Sequence, residues 1–152
     1  MKSCAALVLR RRWCALAPSV ATVLAISACG TAARAGAGAS GTVIAVTEHD
    51  FHISTSIAHV SPGEVSVRIT NQGPDEHELI VAPWRKGGLP MRSDGFTVNE
   101  ETLQKSEPGS ITPQQPGGTE NLRLHLATGR YVLFCNMEGH YMGGMHTMLV
   151  VG

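Results

Sequence analysis

The sequence predicts an all-β chain: an antiparallel β-sandwich with one short helix in its middle. Two alternating patterns and the spacing of turns lead to this class. Val65, Val67 and Ile69 alternate with Ser66, Arg68 and Thr70, and Leu122, Leu124 and Leu126 alternate with Asn121, Arg123 and His125. A period of two puts one set of side chains on a buried sheet face and the other toward water. Pro62-Gly63 and Gly73-Pro74 mark turns between the runs. Short strands at this spacing close a core by packing one sheet on another.

The elements follow in order. Lys2, Arg10, Arg11 and Arg12 precede an apolar stretch from Trp13 to Ala28 that contains Pro18. It is short for a membrane span and has the build of a signal peptide, residues 1–28. Ile26-Ser27-Ala28-Cys29 resembles a bacterial lipobox, which implies cleavage before Cys29 and lipid on that cysteine. Residues 29–41 are small and carry one Arg, a flexible tether from the lipid to the domain at 42–152. The expected location is outside the cytoplasm, as a cell-membrane lipoprotein facing the periplasm or the cell exterior.

Thr42 to Thr47 and Phe51 to Ser54 read as strands with a bend near His49-Asp50. Val65 to Thr70 is the next strand, and Leu79 to Ala82 is an apolar run after the turn. Thr97 to Lys105 holds a short helix, with Thr97 or Asn99 as its cap and Glu100 and Glu101 in its first turn. Pro108, Pro113 and Pro116 mark a loop of little regular structure. Tyr131 to Phe134 and Met148 to Val151 are buried strands.

Between these last two strands lies the stretch that carries chemistry. Cys135, His140 and Met145 are separated by four residues each, and Gly139, Gly143 and Gly144 let their loop bend tightly. A thiolate, an imidazole and a thioether on one turn suit copper: soft sulfur plus imidazole with a weak axial Met is the trigonal electron-transfer site. A second imidazole must come from elsewhere. His77 is the best candidate, because it opens the run Leu79 to Ala82 directly after the turn Asn71-Gln72-Gly73-Pro74-Asp75.

Together, NQGPDEHELIV and GRYVLFCNMEGHYMGGM resemble the cupredoxins, the small blue copper proteins. The equal four-and-four spacing is more similar to the rusticyanin and auracyanin type than to plastocyanin. The resemblance covers residues 42–152 and implies a Greek-key sandwich and a single type 1 copper ion held by His77, Cys135, His140 and Met145. It also implies that Tyr131 is the buried aromatic that precedes the cysteine. Residues 84–115 carry no part of the resemblance.

Charge and cysteine usage agree. All twelve acidic residues but only eight of twelve basic ones follow Cys29, a net charge of −4 for the mature chain. That disfavours nucleic acid, which needs basic patches. With Cys4 and Cys14 removed and Cys29 lipidated, Cys135 is the one free thiol. It oxidises outside the cytosol unless something occupies it.

The remaining candidates have plainer readings. His49 and His52 sit in an acidic patch with Glu48 and Asp50, His59 has no ligand-like neighbours, His125 faces solvent, and His146, directly after Met145, points away from the copper. Glu76 and Glu78 are rim charges beside His77. Met142 is the rival to Met145 as axial ligand, and Met137 and Met148 are packing.

The expected function is a monomeric single-electron carrier that meets redox partner proteins, touches the membrane only through its lipid, and is not an enzyme. Multicopper enzymes link the blue copper to a second centre through a histidine beside the cysteine. Here Cys135 has Phe134 and Asn136 instead. A binuclear purple centre needs two cysteines. The alternative is a periplasmic or extracellular copper chaperone or copper-storage protein, favoured by the Met-rich end of the chain.

Overall fold

The computed structural model describes residues 41–103 and 105–152. The expected signal peptide, Cys29 and the tether, apart from Gly41, lie outside the described residues. Nine strands and one helix follow in sequence. They are β1 (Thr42–His49), β2 (His52–Thr55), β3 (His59–Val60), β4 (Gly63–Asn71), β5 (His77–Pro83), α1 (Glu100–Leu103), β6 (Gly109–Gln114), β7 (Thr119–Leu126), β8 (Gly129–Phe134) and β9 (His146–Val151). One sheet has the order β2-β1-β4-β7 and the other β3-β9-β8-β5-β6.

The sandwich is present, but its sheets are mixed rather than antiparallel. β1 runs parallel to β4, and β3 runs parallel to β9. The cause is the path of the chain. After the β1–β2 hairpin it crosses to the other sheet as β3, then returns beside β1, so β4 arrives in the same direction. The bend expected at His49-Asp50 is the turn of that hairpin, closed by the pair His49 and His52.

Alternation places the core. Ile44 and Val46 of β1, Val65, Val67 and Ile69 of β4, and Leu124 and Leu126 of β7 are buried from one sheet. Leu79, Val81, Tyr131, Leu133, Leu149 and Val151 meet them from the other. Each such side chain contributes about 1.5–3 kcal/mol by leaving water. The Tyr131 hydroxyl donates to the Ala127 carbonyl at 3.0 Å, so the ring enters the core without stranding its polar end.

The alternate residues of β5 and β8 are buried too. Ile80, Ala82, Val132 and Phe134 form a second apolar layer with Leu89, Val98 and Leu103. Those last three come from the stretch with no family pattern, which covers the outer face of this sheet. This double burial explains why β5 and β8 are continuous apolar runs. Asn136 fixes the cover: its amide oxygen accepts from the Val98 N–H (2.6 Å), and its nitrogen donates to the Val98 carbonyl (3.1 Å) and to Glu100 (2.6 Å). Asn99 caps α1, its side-chain oxygen accepting from the Thr102 N–H at 3.2 Å.

The proline-rich stretch differs from expectation. Gly109 to Gln114 forms β6, with Pro113 inside it. β6 is an edge strand paired only with β5. An edge strand tolerates a missing N–H on its free side, and the register shifts near His77 in the same region.

Candidate metal centre

Three of the four expected ligands come together at one end of the sandwich. One donor atom each from His77, Cys135 and His140 lies within 4.8 Å of the others. Strand phase explains two of them. His77 continues the inward phase of Leu79 and Val81, and Cys135 that of Tyr131 and Leu133. Both are wholly buried. His140 comes from the β8–β9 loop and is half-buried, with its Nδ1 3.5 Å from the Cys135 sulfur.

The loop holds its own shape. His140 N–H donates to the Met137 carbonyl (2.9 Å), Met145 N–H to the His140 carbonyl (2.9 Å), and Cys135 N–H to the Met145 carbonyl at the neck (3.1 Å). Gly139 and Gly144 take positive φ, as the tight bend requires. Met145 is wholly buried in the same core cluster as Cys135, whereas Met142 is 60 % exposed. His49, His52, His59, His125 and His146 are all exposed. His125 pairs with exposed Glu64, and the His146 ring lies against Tyr141.

Asn71 positions His77. Its buried side chain donates to the carbonyls of Asp75 and Gln114, both at 2.8 Å, and accepts from the Gly73 N–H at 2.8 Å. The turn before the histidine is therefore wrapped around one amide.

Burial sets the protonation of the donors. Desolvation pushes the Cys135 thiol up to about 11, against the N–H groups of Glu78 and Met137, which favour the thiolate. Burial, then the charge of His140, lowers His77 below the usual histidine value, while Asp50 and Asp75 pull it upward. A thiol and a neutral imidazole leave lone pairs for a metal, and binding there displaces the thiol proton. The His77 Nδ1 is buried with no partner. That orphaned donor, beside a sulfur and a second imidazole, fits a soft or borderline transition metal such as copper.

The acidic neighbours depart from expectation. Glu48 is not part of a solvent-facing patch: it is wholly buried, in phase with Ile44 and Val46, and both carboxyl oxygens lack partners. Desolvation, then the charge of Glu78, raises it to about 7. Glu78 is not a rim charge either. It is partly buried, and desolvation, then Glu100, raises it to about 7 against the Asn136 N–H. Asp50 lies against His77, with its Oδ1 3.1 Å from the His77 Nε2. Sequence reading missed Asn71, Asn136 and Asp50 as supports. Only Glu48 had a usable signal, its inward phase in β1.

An auracyanin from Roseiflexus castenholzii matches with TM-score 0.55 and 19% identity over 76% of this chain and 99% of that one. The "blue" copper protein auracyanin A from Chloroflexus aurantiacus matches with TM-score 0.57 and 18% identity over 74% and 99%. Rusticyanin from Thiobacillus ferrooxidans matches with TM-score 0.53 and 15% identity over 74% and 79%. The fold is that of the cupredoxins. No protein-family model and no curated protein sequence matches the chain. The cupredoxin fold here carries its sulfur and imidazole donors at the end where β5, β8 and the β8–β9 loop meet.

Glu48 gives a pH test. Its folded value of about 7 lies above the ordinary 4.5, so the fold binds this proton more tightly than the unfolded chain. The stabilisation is complete below about pH 4.5 and is lost as pH rises through 7. The loss is about 3 kcal/mol by pH 8. Glu48→Gln removes this contribution and leaves that of Glu78. Denaturant unfolding of the metal-free protein at pH 5 and pH 8 is expected to show a smaller difference in the variant. An identical pH dependence contradicts the assignment.

Proposed function

We propose that this chain is an exported single-electron carrier that holds one type 1 copper ion through His77, Cys135, His140 and Met145. The observation that carries this reading is the compact group of one sulfur and two imidazole donors, with the buried His77 Nδ1 unpartnered. Among the described residues it is the only group of three or more His, Cys, Asp or Glu side chains with ligand spacing. Likeness in fold to a "blue" copper protein supports the choice of metal.

Bound copper supplies exchange of one electron between Cu(II) and Cu(I). The chain supplies the fixed frame. Cys135 gives up its proton and becomes the thiolate. His77 and His140 present ring nitrogens from two separate segments. Met145 would hold the ion weakly through its thioether, from the neck of the loop. Ligands fixed by strands and by a self-bonded loop move little when the charge changes, and this lowers the reorganisation cost of transfer.

His140 is the ligand nearest solvent, and it is the route for electrons. Its ring packs on Phe51 at 5.3 Å between centroids. Phe51, Phe96 and Met142 are exposed by 51 %, 56 % and 60 %. The Phe96 carbonyl accepts from the Gly139 N–H of the loop at 3.3 Å. Exposed apolar side chains of this kind desolvate readily and release quickly, as a transient redox contact with a partner protein requires. The second reading is copper delivery or storage, and the exposed Met142 thioether beside His140 is the feature that favours it.

The N-terminal reading completes the proposal: export by residues 1–28, and anchoring through lipid on Cys29. No helix among the described residues is long and apolar enough to cross a membrane.

Copper-loaded protein absorbs intensely in the visible through thiolate-to-copper charge transfer. Cys135→Ser abolishes the band, and Met145→Leu keeps it and raises the reduction potential. A colourless copper-loaded protein that passes Cu(I) to an acceptor establishes delivery instead. Met142→Lys leaves copper content and colour unchanged but slows electron exchange with the physiological partner about tenfold or more, because an unpaired ammonium must be desolvated in the contact. Equal stopped-flow rates remove this loop as the docking surface. Cys29→Ser moves the protein from the membrane fraction to the soluble fraction with its spectrum intact. Retention on the membrane points to an uncleaved anchor.

A further inference from the structure

The β1–β2 hairpin turn is two residues, Asp50 and Phe51, and each touches one of the clustered histidines. Asp50 Oδ1 lies 3.1 Å from His77 Nε2, and Phe51 packs its ring on His140. Phe51 is the one non-glycine residue with positive φ among the described residues, at 56°. A bulky side chain is costly in that conformation and persists only where its surroundings hold it.

Two glycines make room for this turn. A Cβ on Gly73 would lie 2.5 Å from His77 Nε2 and 2.8 Å from Asp50 Oδ1. A Cβ on Gly143 would strike the Phe51 ring. The turn is therefore wedged between the segment that leads into His77 and the loop that carries His140.

The Asp50 contact has the features of a built one. His77 is wholly buried, the Asp50 side chain is 23 % exposed, and the meeting oxygen is itself shielded from water. Neither atom has another partner. The contact is at hydrogen-bond distance but off the axis of the ring N–H, and rotation of the imidazole would align it. A histidine that binds a metal through one nitrogen usually has its other N–H held, and the holder fixes tautomer and orientation.

We propose that Asp50 is the positioning residue of the metal centre: its carboxylate accepts the Nε2–H of His77, leaves Nδ1 as the metal-binding nitrogen, and lowers the reduction potential by its charge. The inference rests on the copper reading above for the potential alone; the tautomer and orientation of His77 concern any metal taken by the cluster. A carboxylate differs from a neutral acceptor here. Its negative charge, one imidazole away, stabilises the more positive metal state and strengthens the donor nitrogen. Phe51, from the same turn, shields the other imidazole, so one hairpin holds both rings.

The test uses the full chain in detergent, with Asp50→Asn and Asp50→Ala. Asn keeps the shape and an acceptor oxygen but removes the charge; Ala removes both. Zn(II) affinity is expected to fall about tenfold to a hundredfold in Asp50→Ala and to be largely restored in Asp50→Asn. In the Zn(II)-loaded protein, nitrogen-resolved NMR is expected to show the His77 Nε2–H protected from solvent exchange in wild type and less protected in Asp50→Ala. In the copper-loaded protein, Asp50→Asn keeps the visible band and raises the reduction potential. A merely structural role moves neither the potential of the Asn variant nor the proton on Nε2. Unchanged potential in Asp50→Asn, or metal bound through Nε2 in wild type, overturns the proposal. If copper-loaded wild type has no intense visible band while the Zn(II) pattern holds, Asp50 keeps its positioning role and the electron-carrier reading falls.

Discussion

β5 and β8 lie side by side, and each is buried on both faces. Ile80 pairs with Phe134 and Pro83 with Tyr131 along their shared ladder. Because side chains alternate, this register decides where the chain's sulfur and its first imidazole go. His77 and Cys135 extend the phase that faces the other sheet, so both enter the space between the layers. A slip of one residue in either strand would turn a donor outward onto the apolar cover. The cover formed by Leu89, Val98 and Leu103 therefore belongs to the site, because it keeps the second face of both strands dry. Asn136, next to Cys135, ties that cover to the strand end.

The same burial governs the chemistry. Taken out of water, the Cys135 thiol holds its proton and His77 resists gaining one. Metal binding there would release the thiol proton. Glu48 and Glu78 feel the same desolvation, and a neighbouring charge adds to it, that of Glu78 at Glu48 and that of Glu100 at Glu78. These carboxyl groups are a cost in stability at high pH. Nothing in the fold offsets it for Glu48, whose oxygens have no partners.

Much of this was legible in the sequence, for reasons that differ by element. The strands β4 and β7 alternate cleanly because one of their faces meets water. β5 and β8 read as buried runs because neither of theirs does. The even spacing of Cys135, His140 and Met145 exposed the loop, since a loop that must place donors on one centre constrains their separation. Strand direction was not legible: alternation is the same in parallel and antiparallel pairs, so the crossover through β3 left no mark. Pro113 argued for a loop, but an edge strand accommodates it. Asp50 is separated from His77 by 27 positions, and only the hairpin brings them together, so no local pattern carries the contact. Asn136 was noticed only for not being a histidine, and its role depends on where the 84–103 excursion folds.

Copper K-edge X-ray absorption of the copper-loaded protein tests the preformed donor group most directly. One sulfur and two imidazole nitrogens as the near neighbours of copper, with the sulfur lost in Cys135→Ser, is the expected result. A first shell of oxygen and nitrogen without sulfur would show that the metal sits elsewhere, and that His77, Cys135 and His140 are brought together for some other purpose.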